Sequence, residues 1–193
     1  MAAAFAFFTN LCILLENHCG EDKVWVGNMD GLFHDKHLAA VYEYWQDVRG
    51  ARVAPRREEL NLGALKSALP KINLIDVIWG PLQFRHRLVG SDYIEMMGRD
   101  ATGRFVDEEL YGEAASEIFA NLEMVARQAQ PYRRSARLDW LDRNWLTIES
   151  AELPLVNADG RVNMIMRVSN FTITKNLDKE RLLFTPLTQT ISL

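Results

Sequence analysis

One stretch, Leu69 to Asp100, constrains the fold more than any other part of the chain, because it predicts two strands, a tight turn and a short helix in succession. Ile72 to Trp79 is dense in Ile, Val and Trp, and Gly80-Pro81 is a turn dipeptide. The next strand alternates between two faces, one with Leu82, Phe84, His86 and Leu88 and the other with Gln83, Arg85 and Arg87. This alternation predicts a half-buried antiparallel hairpin.

Helices are predicted on both sides of this hairpin. Ser91 is suited to cap a short helix that ends at Gly98. Asp35 to Arg49 is predicted to be a helix with Asp35 as its cap, Gly50 at its exit and a single apolar stripe formed by Leu38, Val41, Trp45 and Val48. The longest helical pattern runs from Glu113 to Gln130, stops at Pro131 and carries Ile118, Phe119, Leu122 and Val125 at helical spacing.

Three more strands are predicted after the long helix. The first, Tyr132 to Trp140, alternates, although Arg134 falls on its apolar face. In the second, Trp145 to Val156, the alternation breaks near Ser150 to Pro154, which predicts a bulge or a bend. A hairpin turn then leads to the last strand, whose inner face is predicted to carry Val162, Met164, Met166 and Val168.

The order of these elements predicts an α+β fold, in which a five-stranded antiparallel sheet has its helices on one face and is preceded by an N-terminal helix. A cavity can form between the sheet and the helices. The chain is divided into four segments: residues 1–33, an extension that is partly disordered or a short helix; 34–61, the leading helix and a connector; 62–173, the core; and 174–193, a tail.

Composition excludes several partners. The chain has 193 residues and a net charge of -4, which gives no electrostatic reason to expect nucleic acid. The apolar N-terminal run is interrupted at Thr9 and Asn10 and is too short to span a membrane. It is a loosely attached helix, a partner-binding segment, or sequence upstream of a natural start at Met29.

The two cysteines, Cys12 and Cys19, do not form a disulfide framework, which favours a reducing compartment and a cytoplasmic location. Their spacing relative to His18 fits no common zinc site, and no metal is expected.

A set of short motifs carries a family resemblance: Tyr44-Trp45 and Arg49, Pro55-Arg56, Leu69-Pro70, Arg87-Leu88-Val89-Gly90, Gly98 with Asp100 and Thr102-Gly103, and Leu153-Pro154-Leu155 before Asp159-Gly160. With these motifs in this order, the chain resembles the PAS sensory domain family, in particular a bacterial single-domain branch, over roughly Leu38 to Thr172. It departs from the family pattern at Asn170, where an aspartate is usual, and at Ser91, where a threonine is usual.

The resemblance limits the cofactor without identifying it. A cysteinyl flavin adduct requires a cysteine in a short helix beside the flavin, whereas both cysteines precede the domain. Histidine-ligated haem would use the long helix, which contains no histidine, so the cofactor remains unknown. The pocket candidates are Phe84, His86, Leu88, Tyr93, Met97, Phe119, Leu122, Trp140, Met164 and Met166. His86 could equally be a core histidine satisfied by a neighbour, and the methionines ordinary core.

The resemblance implies a non-enzymatic signalling protein that binds a small molecule in its core, relays signals through protein contacts, or does both. No catalytic residues are recognisable. After Thr172 only 21 residues remain, too few for an effector domain, so output is expected through an unidentified signalling protein or a homodimer. Leu38, Val41, Trp45 and Val48 are the dimer candidates. The alternatives are a ligand-free adaptor with a solid core and a small α+β enzyme that uses His86.

Overall fold

The computed structural model describes residues 32–138, 143–173 and 183–187. The α-helices in this part are α1 (Lys36–Arg49), α2 (Ser91–Met97), α3 (Glu108–Tyr111) and α4 (Ala115–Gln128). The strands are β1 (Ile72–Ile78), β2 (Gln83–Leu88), β3 (Tyr132–Leu138), β4 (Arg143–Val156), β5 (Val162–Ile173) and β6 (Leu183–Pro186). Short 3₁₀ helices at Arg57–Glu59, Leu62–Lys71 and Gly112–Ala114 connect them. Cys12, Cys19, Trp140 and nearly all of the predicted N-terminal extension lie outside the described residues.

The described strands form one antiparallel sheet in the order β2-β1-β5-β4-β3-β6. The predicted α+β fold is therefore confirmed, with one strand more than expected. The additional strand, β6, pairs with β3 and stacks Phe184 on Tyr132 with ring centroids 4.5 Å apart. Its signal in the sequence is weak because it has four residues and ends in Pro186.

Both borders of the five predicted strands, in the order β2-β1-β5-β4-β3, have backbone partners on the side away from the sheet centre. Beyond β2, the segment from Gly103 to Val106 exchanges backbone hydrogen bonds with Phe84 and His86. At the other side of the sheet, β6 covers β3.

Helices α2, α3 and α4 lie on one face of the sheet, which we call the inner face. Phe84 of β2 meets Phe119 of α4 edge to face at 5.0 Å between ring centroids, and Tyr93 of α2 meets Phe171 of β5 at 5.7 Å. Side chains alternate along a strand. The inner face of β5 therefore carries Ile165, Arg167, Ser169 and Phe171, while Met164, Met166 and Val168 point to the other side.

The leading helix α1 covers that opposite, outer face. Asp35 caps its first turn, as predicted, by accepting hydrogen bonds from the backbone N–H groups of His37 and Leu38. The preceding residue, His34, donates its backbone N–H to Glu149 on the outer face of β4 at 3.1 Å. The indole Nε1 of Trp45 donates to the carbonyl of Pro154 at 2.9 Å. The apolar stripe of α1 thus packs against the sheet of its own chain.

The structure corrects two predictions about local elements, the cap of α2 and the bulge in β4. The N-cap of α2 is Gly90 rather than Ser91, which is the first helical residue. A Cβ atom at Gly90 would lie 2.2 Å from the carbonyl oxygen of Pro70, so the chain passes too closely here for any side chain. In its pairing with β5, strand β4 keeps a continuous register from Leu146 to Leu155 and is irregular at Val156 rather than within Ser150 to Pro154.

Trp45 supplies a test of how much α1 contributes to stability. Its side chain is fully buried, so Trp45→Ala is expected to lower the free energy of unfolding by about 3–5 kcal/mol. Trp45→Phe keeps much of the apolar contact but leaves the Pro154 carbonyl without its donor, and a loss of about 1–3 kcal/mol is expected. Urea unfolding measures both. Trp145→Ala, at a side chain that is 43% exposed, is the control and should cost less than either.

Candidate functional site

The inner face carries a group of polar residues where an apolar core would be expected. We call it the inner polar cluster and define it as Asn73, His86, Arg134, Ser150, Glu152, Arg167 and Ser169, each less than a tenth exposed, together with Tyr93 and Tyr111 above them. Strand register brings the strand residues together. Arg134, Ser150 and Ser169 are opposite one another across β3, β4 and β5, and Glu152, Arg167 and Asn73 across β4, β5 and β1.

A buried ion pair lies at the centre of this cluster. The Nε of Arg167 donates to both carboxylate oxygens of Glu152, at 2.8 and 2.9 Å, and Ser150 donates its hydroxyl to the same carboxylate at 3.1 Å. Desolvation alone would lower the pKa of Arg167, but Glu152, with Tyr93 and Tyr111, more than offsets it and the pKa is raised. Arg167 is therefore held as a cation.

Arg134 is a second buried guanidinium beside this pair. Its side chain is 8% exposed, and its ion-pair partner, Glu117 on α4, is 3.6 Å away and half exposed. Burial, followed by the charge of Arg167, lowers the pKa of Arg134. An arginine nevertheless stays protonated in a protein. In the part of the chain that the structure describes, the inner face thus buries two guanidinium groups and a single carboxylate, that of Glu152.

His86 contributes a neutral imidazole to the cluster. Its Nε2 lies 2.8 Å from the hydroxyl of Tyr111. Burial, reinforced by the charge of Arg167, lowers the pKa of His86 to about 3, and burial raises the pKa of Tyr111. Both groups are neutral at physiological pH, so neither balances the two arginines.

Four buried polar atoms of the cluster have no hydrogen-bond partner among the described residues: Asn73 Nδ2, His86 Nδ1, Arg134 Nε and Ser169 Oγ. The other amide atom of Asn73 is satisfied, since its Oδ1 accepts the backbone N–H of Gly90 at 2.8 Å. Buried polar atoms usually have partners because an unmade hydrogen bond is costly. Four such atoms on one face of one sheet mark the most prominent polar site in the described part of the chain.

Six of the pocket candidates lie between the sheet and the helices. Phe84 and His86 are on the inner face of β2, Tyr93 and Met97 share the buried side of α2, and Phe119 and Leu122 are on α4. The structure thus brings these residues together around the inner polar cluster.

The other pocket candidates are not part of this group. A bulge in the pairing of β1 with β2 turns Leu88 away, and it is 43% exposed. Met164 and Met166 point to the outer face under α1, because the inner-face positions of β5 belong to Arg167 and Ser169. Trp140 lies outside the described residues.

The dimer candidates are already in contact with the sheet of their own chain. Leu38, Val41 and Trp45 are 0% exposed, and Val48 is partly buried. The solvent-facing side of α1 carries Lys36, Glu43 and Asp47 instead.

The sequence carries a signal for polar residues of the inner face that the pocket candidates do not include. Arg134 interrupts the apolar face of its strand, and Ser150 and Glu152 are the residues at which the alternation of β4 breaks. Such breaks are typical of a weak strand and a bulge, but the strand pairing is continuous at these three residues and their polar side chains point inward. Arg167 was missed because its neighbours Met166 and Val168 made the opposite face look like the core.

A second feature lies at the surface, where a shallow groove is lined by Trp79, Ala126, Arg127, Ala129, Gly160, Arg161 and Val162. Arg161 lies over the Trp79 ring at 4.1 Å and Arg127 at 5.8 Å, while the indole donates to the carbonyl of Val162. These contacts satisfy Trp79 within the chain.

In the described ranges, no group of three or more His, Cys, Asp or Glu side chains is placed to hold a metal ion. No helix there is long and apolar enough to cross a membrane.

The buried ion pair gives a stability prediction. Glu152→Gln removes the partner of Arg167, and a loss of about 3–5 kcal/mol in unfolding free energy is expected because a buried cation is left uncompensated. The double variant Glu152→Leu/Arg167→Met removes both charges and is expected to be more stable than the single variant. Urea unfolding compares the two, and an equal or larger loss in the double variant would contradict this account.

His86 gives a pH prediction. Its folded pKa of about 3 lies below its ordinary value of 6.5, so below pH 6.5 the unfolded chain takes up the proton first. The stability that neutral His86 contributes is thus complete above pH 6.5 and is lost as the pH falls toward 3. Between pH 7 and pH 4.5 the wild type is expected to lose about 2–3 kcal/mol more than His86→Asn, which cannot titrate there. Urea unfolding at the two pH values gives this difference, and parallel losses would contradict the assignment.

Comparison with known proteins agrees with the observed fold. A family model described as PAS domain matches residues 33–169, well over half of the chain. No curated protein and no solved structure gives a significant match. The match spans α1, the helices of the inner face and all of β1 to β4, and the sheet order β2-β1-β5-β4-β3 agrees with the fold that the motifs predicted. The chain belongs to the PAS domain family.

Proposed function

We propose that this chain is a sensory protein that binds a small molecule against the inner polar cluster and passes its state on through protein contacts. Membership of the PAS domain family indicates a sensory or signalling role, and PAS domains are typically not enzymes. The observation that carries the finer proposal is the set of four buried polar atoms without partners, on the face of the sheet that the helices cover.

An adaptor that binds no ligand would not need buried polar side chains without partners in its core. A core that serves only to hold a protein-binding surface is more stable when its buried positions are apolar, since unpaired polar atoms and excess charge destabilise it. Retaining Asn73, Arg134 and Ser169 at such positions is accounted for if a bound molecule supplies the missing partners.

An enzyme is a weaker alternative. Among the described residues of the site, the candidate general bases are His86, whose Nε2 is engaged by Tyr111, and Glu152, whose carboxylate is held by Arg167. A pKa of about 3 makes this imidazole a poor base at pH 7. His86 and Tyr111 are better suited to orient a ligand by hydrogen bonding.

Output through protein contacts completes the proposal. The apolar stripe of α1 covers the sheet, so a homodimer or a signalling partner would use the charged side of α1, with Lys36, Glu43 and Asp47, or displace the helix. Light scattering measures the mass in solution at several protein concentrations, with and without ligand. A monomer under all of these conditions would exclude the homodimer and leave a separate signalling protein as the partner.

Native mass spectrometry of the purified protein, together with its absorption spectrum, tests the ligand. We expect a bound small molecule in the wild type, and its loss in Arg134→Met. Arg127→Met on the surface of α4, at a side chain that is 59% exposed, is the matched control and should retain it. A protein that carries no added mass, and whose melting temperature no compound in a metabolite library raises, would favour the adaptor.

A further inference from the structure

We propose that the ligand of the inner polar cluster is a small organic monoanion whose carboxylate pairs with Arg134. This inference rests on the proposed function and names the chemical class of the molecule that would be sensed. It is carried by the charge of the cluster, by the kind of polar atom left without a partner, and by the apolar side chains around them.

The charge of the buried residues favours an anion. Arg134 and Arg167 are both cations, and among the described residues Glu152 is the one carboxylate buried with them on the inner face, already held at 2.8 and 2.9 Å by Arg167. Glu117 offsets Arg134 only from 3.6 Å and from a half-exposed position, where water screens its charge. The excess is therefore close to one positive charge. A monoanion balances it, whereas a phosphate group, at −1.5 to −2, would overcompensate.

The unpartnered atoms are mainly hydrogen-bond donors. Arg134 Nε and Asn73 Nδ2 can only donate, and the Ser169 hydroxyl can donate. In the tautomer in which Nε2 of His86 accepts from the Tyr111 hydroxyl, the proton of the neutral imidazole lies on Nδ1, which then donates as well. A carboxylate offers two oxygens with about four acceptor positions, and its planar geometry fits a guanidinium.

The surroundings of these donors favour an organic body on the anion. Phe84 and Phe119 pack edge to face, as do Tyr93 and Phe171, against the same face of the sheet. An apolar group of a few carbon atoms would be buried against such rings, while a hydrated inorganic ion would gain nothing from them. Glu117 is the group that the ligand carboxylate would replace as partner of Arg134.

Matched pairs of probes test this class. Acetate, butyrate and benzoate are compared with acetamide, butyramide and benzamide, which have the same shape without the charge, and with sodium phosphate and sodium chloride. Thermal shift and calorimetric titration are measured on the full chain. At least one carboxylate is expected to raise the melting temperature of the wild type by several degrees, while its amide does not.

Three variants assign the effect to Arg134. In Arg134→Met the affinity for that carboxylate is expected to fall at least ~10-fold, as a lost charge-assisted hydrogen bond implies. Glu117→Gln removes the competing carboxylate and is expected to strengthen binding several-fold, and Arg127→Met to leave it unchanged. Without ligand, Arg134→Met is expected to melt at the same temperature or slightly higher, since it removes an uncompensated buried charge. Should Arg134→Met fail to fold, Arg134→Lys keeps the charge, and it too is expected to bind more weakly because it loses the planar guanidinium.

The remaining outcomes separate this inference from the proposed function. Equal stabilisation by amides, stabilisation by phosphate or chloride alone, or binding of a neutral molecule in native mass spectra would overturn the carboxylate while leaving a ligand-binding sensor. A marked loss of stability in unliganded Arg134→Met would show that Arg134 is already compensated and would also overturn it. A protein that binds none of the probes and carries no molecule of its own would overturn both.

Discussion

The structure depends on a buried ion pair at the middle of its sheet. Arg167 and Glu152 are almost wholly removed from water on adjacent strands, and each requires the other. Desolvating two charges is expensive, and the attraction between them compensates only when geometry and further hydrogen bonds are good. The strands β4 and β5 supply that geometry through a register that is continuous over ten residue pairs, from Leu146 with Ile173 to Leu155 with Met164. The ion pair therefore fixes how the two longest strands align.

Around this pair the protein is built as three layers, with the sheet in the middle. Helix α1 closes the outer face with apolar packing and the Trp45 hydrogen bond, whereas α2, α3 and α4 close an inner face that remains polar. The two faces of β5 show the contrast most clearly: Met164, Met166 and Val168 point toward α1, and Arg167 and Ser169 toward the other helices. Apolar packing and buried polar groups thus lie on opposite sides of the same strands.

Much of this architecture could be predicted from the sequence, because its elements follow regular periods. The hairpin of β1 and β2, the caps of α1 and the end of α4 before Pro131 all depend on local patterns. The face on which each residue lies was harder to predict. A bulge beside Ile75 turns Leu88 outward, and polar side chains at inward positions of β3, β4 and β5 made apolar outer-face residues look like the core. Such positions depend on long-range pairing, which no local pattern encodes.

The cover on both borders of the sheet limits how copies of this chain can associate. A free border strand exposes backbone donors and acceptors that recruit further strands and lead toward aggregation. Here the loop from Gly103 to Val106 occupies one border, and a four-residue strand that terminates in proline forms the other. In the described part of the chain, lateral growth of the sheet from one molecule into the next is consequently disfavoured.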